Sequence, residues 1–402
     1  RENTLTRSRT IAGEPASPRI DMKYLIHALI KYNASDLHIR VGRPPLYRIN
    51  GKIVATKMPE LTQEQAEQIV YGVLSDKQLV DLHEKRQVDL SFRIKDYGRF
   101  RCNVFFQRGS ISAAVRMIPL NVPNIDELGV PSVLKELVLR PRGLILITGA
   151  TGSGKSTTLA SVIQYINETS HVHILSIEDP IEFVYRDIKA TITQREVGSD
   201  THSLQEGLYA GLRQDPDVMM IGEMRDYHMI QGALTAAETG HLVLSTLHTN
   251  DAKSTIGRIM DVFPPEAKNQ VRIQLASSLL AVISQQLLVR ADGSGRSVAC
   301  EVMVMSPAIR EYILKNELER IPEAIGSSSN YYKMQTMNQA LEMLVKTKVI
   351  TLEGALRSSN NPDDLRLRLS GIDREGGYEM AGSATPGQPP PGPPKVTLDK
   401  KD

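Results

Sequence analysis

Hydrophobic positions follow two different rhythms along the chain, and the change comes near residue 120. From about Ile20 to Ile118, short apolar runs are broken by polar residues and turn signals. The first run predicts a helix over residues 22–32, with Leu25, Leu29 and Ile30 on one side. Residues 46–49 and 52–54 flank Asn50-Gly51, a strong signal for a tight turn between antiparallel strands. Residues 88–94, 99–106 and 112–118 read as further strands. The predicted unit is a small antiparallel sheet with helices, an α+β module over 21–118.

Pro119, Pro123 and Pro131 punctuate residues 119–131, which read as a linker. Beyond it the pattern changes to continuous apolar runs at 144–148, 174–177, 218–221 and 242–247, separated by helical stretches. Runs of that length suit strands buried on both faces of a parallel sheet. They predict a doubly wound α/β domain over 132–370, with its ligand at the carboxyl ends of the strands. From about Ala267 the chain reads mostly helical. Residues 1–20 are polar and without period, as expected of a flexible tail. Residues 371–402 are too rich in Pro and Gly to bury a core and read as disordered or polyproline-like.

The first candidate chemistry sits directly after the first of those apolar runs. GATGSGKST at 149–157 fits the phosphate-loop pattern through Gly149, Gly154, Lys155 and Ser156. The backbone of Gly149, Thr151, Gly152, Ser153 and Gly154 can wrap closely enough for its N–H groups to meet phosphate oxygens. Lys155 is expected to reach the β and γ phosphates of ATP, and the Ser156 hydroxyl to bind Mg²⁺. Thr157 continues into a helix whose positive end faces the anion.

Three further strand ends carry polar groups: Glu178, Asp179 and Glu182 after the second run, Glu223 after the third, and His241 and His248 bracketing the fourth. In an open α/β sheet such ends share the rim with the phosphate loop. Phosphoryl transfer to water needs a carboxylate that organises the metal and a group that orients the water. The two acidic segments supply both, although Glu178 or Asp179 could equally cap a turn before Pro180. Ser203 and Glu206 form a capping-box pattern that opens a helix towards Arg213.

Composition narrows the class. Of 402 residues, 41% are hydrophobic and 23% charged, ordinary for a globular chain long enough for two domains. No apolar stretch is long enough to span a membrane, and the basic N-terminus has no apolar core of a secretory signal. Cys102 and Cys300 are too few for a disulfide framework and read as reduced cytosolic cysteines. A net charge of +2, no Trp and 5% aromatics argue against nucleic acid as the partner.

The phosphate loop, IEDPIEF, IGEMRD and TGHLVLSTLHT occur in an order that resembles the Walker A, Asp-box, Walker B and His-box motifs of the type II/type IV secretion ATPase superfamily. SDLHIRVGRPPLYRINGK from Ser35 and PAIREYI at 307–313 are similar to elements of the PilT/PilU-like type IV pilus retraction ATPases. Glu311-Tyr312 replaces the Asn-Leu of that family's second element, and NPDDLRLRL from Asn361 looks more like the accessory retraction ATPases. The resemblance spans about 22–369. It implies an N-terminal PAS-like domain, a RecA-like ATPase domain with a helical C-terminal part, and nucleotide between the two. It further implies Glu182 as catalytic carboxylate, Glu223 as a Mg²⁺ organiser acting through water, and His241 and His248 as a pair that senses the γ-phosphate and couples subunits. Arg101 and Arg116 are the implied arginines that neutralise transition-state charge.

Carried further, the resemblance implies a cytoplasmic homohexamer, peripheral at the inner membrane without inserting into it. It would act on a pilus platform protein there, with a second retraction ATPase as a further partner. Extension and secretion ATPases of the same superfamily usually add an N-terminal domain and a paired CxxC zinc element. Here the PAS-like block begins almost at once and the corresponding late region holds Cys300 alone, which favours retraction. A nucleotide-binding regulator that does not hydrolyse is the reading from another class, and the set Lys155, Glu182 and Glu223 argues against it.

Overall fold

The computed structural model describes residues 20–49, 51–95, 97–119 and 122–370. The expected tails, apart from Ile20, and Asn50 of the expected turn lie outside the described residues.

The first unit runs through α1 (Met22–Lys31), β1 (Asp36–Arg40), β2 (Leu46–Ile49), β3 (Lys52–Ala55), α2 (Gln63–Tyr71), α3 (Asp76–Lys85), β4 (Gln87–Ile94), β5 (Gly98–Gln107) and β6 (Ser110–Met117). Its six strands form an antiparallel sheet in the order β3-β2-β1-β6-β5-β4. Side-chain alternation puts Phe100, Cys102 and Val104 of β5 in the core against Leu25, Ile26 and Leu29 of α1. The helix stripe therefore uses Ile26, whereas Ile30 is only half-buried. The same alternation sends Arg99 and Arg101 to the other face of β5.

The second unit is built from α4 (Val133–Leu137), β7 (Gly143–Thr148), α5 (Lys155–Thr169), β8 (His173–Glu178), β9 (Thr191–Glu196), α6 (Leu204–Gly211), β10 (Val218–Ile221), α7 (Tyr227–Glu238), β11 (Leu242–Leu247), α8 (Ala252–Asp261), α9 (Lys268–Ser278), β12 (Leu279–Val289) and β13 (Arg296–Val304). Strand order is β13-β12-β7-β11-β10-β8-β9. All pairs are parallel except β12 with β13. Successive residues of β7 point into two different cores. Leu144 and Leu146 meet helices α6 to α10, while Ile145 and Ile147 meet α4 and α5. Here α10 is Pro307–Lys315. This double burial is why the runs carry no alternation.

The region after Ala267 departs from the expected helix. The run LLAVISQQLLV forms β12 and returns as β13, with nine residue pairs in register. A short apolar run reads equally as buried helix or buried strand, and the free edge of β7 decided it here. Helices resume with α10, α11 (Ile321–Ser327), α12 (Ser329–Tyr332), α13 (Met337–Lys346), α14 (Leu352–Ser358) and α15 (Pro362–Leu369). The last three pack on Leu288 and Ala299 of the β12–β13 hairpin. At α6 only half of the expected capping box forms: Ser203 accepts the Glu206 N–H at 3.1 Å. Both cysteines are free and buried. Among the described residues, no helix is long and apolar enough to cross a membrane.

Candidate active site

Residues 149–154 link β7 to α5, and Thr151, Gly152 and Gly154 of this loop line a cleft of about 620 Å³. Gly149 has φ +143°, and a Cβ there would lie 2.4 Å from the Gln285 carbonyl oxygen and 2.5 Å from Ser153 Oγ. Only glycine satisfies both the backbone angle and the space. Gln285, buried on β12, donates from Nε2 to the Ser153 carbonyl at 2.8 Å. A 2.7 Å bond between the Thr148 and Ser284 hydroxyls pins the end of β7 to the same strand. Gln285 was not legible as a site residue, although two glutamines inside an apolar run were the available signal.

Lys155 opens α5, with Gly154 at the cap position and no side chain capping the helix. The exposed helix N–H groups and the buried, unpartnered Ser153 hydroxyl suit a phosphate. Lys155 Nζ donates to the carbonyls of Gly149 at 2.8 Å and Ala150 at 3.0 Å. Burial lowers its pKa, against the raising influence of Glu223 and Glu182. Thr151, Gly152, Ser156 and Thr157 also line the cleft.

The acidic residues come from the neighbouring strand ends. Glu223 follows β10, and its two oxygens are divided between Arg225 Nε at 2.8 Å and His248 Nε2 at 3.2 Å. His248 follows β11 and reaches Lys155 Nζ with its other nitrogen, 3.5 Å away. Lys155, His248 and Glu223 thus form one connected line across the cleft. Glu182, exposed in the segment after β8, lies on the same cleft. Glu178 at the end of β8 is buried. It accepts hydrogen bonds from Ser176 Oγ at 2.7 Å, Gln194 Nε2 at 3.2 Å and the Glu182 backbone. Burial nevertheless pushes its carboxyl up to about 7. Among the described residues, no group of three His, Cys, Asp or Glu side chains could hold a metal ion unaided.

His241 corrects the expectation that both histidines meet the site. β11 is in register with β7, so that Leu242 stands opposite Gly143 and Leu247 opposite Thr148. His241 therefore lies at the far end of the strand, about 20 Å from the phosphate loop at strand spacing. Its Nδ1 is 2.9 Å from the Ala236 carbonyl oxygen. Two residues that bracket one strand cannot both stand on its carboxyl rim.

The arginines separate as well. Arg116 lines the cleft, with its Nε 2.8 Å from Asp36 Oδ1. Arg101 stands opposite it in strand register but lines a neighbouring cleft with Asp179 and Pro180. Arg296 of β13 and Arg225 also line the first cleft, and no motif in the sequence marked Arg296.

The sequence profile of the family described as "Type II/IV secretion system protein" matches residues 14–351. The chain is 44% identical over 345 residues to the type IV pilus retraction ATPase PilT of Pseudomonas aeruginosa, a match covering 86% of this chain and 100% of that protein. It is 39% identical over 350 residues to the type IV pilus ATPase PilU of the same organism, covering 87% of this chain and 91% of that one. A crystal structure of the pilus retraction motor PilT with bound ADP has a TM-score of 0.81 to this fold at 47% identity, covering 86% of this chain and 99% of that chain.

Proposed function

The chain belongs to the type II/IV secretion system protein family, and from that premise we propose that it is an ATP-hydrolysing motor of type IV pilus retraction. One observation carries the chemistry: Lys155, His248 and Glu223 touch in sequence on a cleft lined in part by the phosphate loop. The direction of the motor rests on the likeness to retraction ATPases along most of their length.

In this reading, loop 149–154 and Lys155 hold the phosphates of ATP. Ser156 and, through water, Glu223 would hold Mg²⁺, which would supply neutralisation of the phosphate charge. Glu182 orients the attacking water and takes its proton. His248, placed between the lysine and the Walker B carboxylate, registers whether the γ-phosphate is present. Arg116 and Arg101 bring positive charge from the first sheet, Arg116 at the nucleotide cleft and Arg101 from the adjoining one. His241 has no part in this chain's own cleft.

The first sheet corresponds to a PAS-like domain over 21–118 and the second to a RecA-like ATPase domain over 132–370, joined by 119–131. Separate cores in the two units support that division. Six copies form a ring at the cytoplasmic side of the inner membrane, and closure of each cleft on ATP moves a pilus platform protein. A second retraction ATPase is a further partner.

The test is deletion of the gene in its own organism, with surface pili counted by electron microscopy. Excess pili with lost surface motility are expected. A bald cell would show that the motor extends pili, leaving the ATPase chemistry in place.

A further inference from the structure

Segment 181–188, which carries Glu182, belongs to no helix or strand. Its backbone makes no hydrogen bond to other backbone among the described residues. Side chains satisfy it instead. The Ile181 N–H donates to Glu196 Oε2 at 3.0 Å. Gln194 donates to the Phe183 carbonyl at 2.9 Å and accepts the Tyr185 N–H at 3.1 Å. Asn167, fully buried on α5, donates to the Arg186 carbonyl at 2.8 Å and accepts the Ile188 N–H at 3.0 Å.

Gln194, Asn167 and Glu178, whose carboxylate accepts from the Glu182 backbone, tie the segment to its own unit. Glu196 differs, because the oxygen that accepts the Ile181 N–H also lies 3.0 Å from Arg99 Nη2. Arg99 stands on β5 of the first sheet. Among the described residues, the most extensive packing of helices and strands falls within each unit. Between the units lies a cleft of about 320 Å³, lined by Arg101, Asp179, Pro180 and Glu196. The ion pair therefore crosses from one unit to the other at the residue preceding Glu182.

The main chain of Glu196 is fixed. Its N–H donates to Asp200 Oδ2 at 2.8 Å, and its carbonyl accepts the N–H groups of Asp200 and Thr201. When Arg99 moves, the carboxylate and Ile181 must adjust rather than β9. If the first sheet swings away, a buried carboxylate loses its counter-charge, which is costly unless it rearranges.

We propose that Arg99 and Glu196 are positioning residues for hydrolysis: their ion pair places the Ile181–Glu182 segment, so docking of the first sheet decides whether Glu182 faces the nucleotide. This rests on the reading of Glu182 as the carboxylate that activates water. Arg99 does not line the nucleotide cleft, so its effect falls on turnover and not on ATP binding. Misplacement of a reacting group by about 1 Å can cost about 10²-fold in rate.

Steady-state ATP turnover by the full chain with Mg-ATP tests it. Arg99→Ala lowers kcat about tenfold with KM for ATP within about twofold, and Arg99→Lys recovers most of the loss. Glu196→Gln keeps an acceptor for the Ile181 N–H but gives up the charge pair, and it falls similarly. The double variant Arg99→Ala/Glu196→Gln is within about twofold of either single one, because each removes the same interaction. The proposal is overturned if both single variants keep the wild-type kcat. It is equally overturned if the two losses multiply in the double variant, or if the loss appears in KM with kcat unchanged. An inactive wild-type chain would instead bring down the ATPase reading, and this proposal with it.

Discussion

Single residues at this site are constrained by space, charge and hydrogen bonding at once. Lys155 is held by two loop carbonyls and lies within reach of His248, so its charge is placed before any ligand arrives. Lys155→Ala is expected to abolish phosphate release without loss of the fold, checked by a phosphate assay beside a thermal melt. Glu182 is exposed and outside the line of contacts that joins Lys155 to Glu223. Glu182→Gln should accordingly retain nucleotide binding while turnover falls about 10²-fold or more; turnover near wild type would remove its catalytic role. The histidines give a sharper contrast. His248→Ala should cost about tenfold in kcat or more, by loss of a transition-state contact, whereas His241→Ala should change kcat by less than about twofold. Equal losses would mean that the distance along β11 does not decide their roles.

Elements place these residues in ways that local pattern does not reveal. β12 carries Gln285 and Ser284 to the phosphate loop while its hairpin partner β13 bears the C-terminal helices. Glu301 on β13 extends that link. Its buried carboxylate accepts the Ala252 N–H that opens α8, at 2.8 Å, and also the Met337 N–H that opens α13. Burial pushes this carboxyl up from 4.5 to about 7. The folded chain thus holds the proton more tightly than the unfolded chain, and stability falls as pH rises between those two values. Above about 7 the dependence on this group ends. Glu301→Gln keeps an acceptor and cannot ionise, so melting temperature should decline less between pH 5 and pH 7. A pH profile identical to wild type would show that Glu301 does not titrate in that window.

At the scale of the whole molecule, two separately cored units meet along clefts lined from both sides. Sparse packing between units is the usual condition for relative domain motion. A motor needs that motion to depend on the nucleotide, and Arg116 reaching the cleft from the first sheet offers one route. Arg116→Ala should lower kcat by about tenfold to 10³-fold, within the range for arginines that neutralise transferring phosphate. Mixing wild-type and Arg116→Ala subunits then reports whether it acts within or between copies: a linear fall in activity means within. Native mass should equal six copies of the 44.6 kDa chain, and a monomer that hydrolyses ATP at full rate would remove the ring from the reading.

Much of the fold and of the candidate site was legible in the residues themselves. Gly149, Gly154, Lys155 and Ser156 announce a phosphate loop because wrapping an anion demands glycine angles and a lysine at fixed spacing. The strands at 218–221 and 242–247 were set by apolar runs that only double burial explains. Tertiary structure decided what depends on neighbours distant in sequence. The run at 279–289 became a strand because β7 had an open edge beside it. His241 fell away from the cleft because parallel register fixes which strand end meets the loop. Arg99 met Glu196 because two sheets that share no local pattern were brought side by side. Spacing along the chain specifies contacts within a loop or helix turn, and only packing specifies which loops share a cleft.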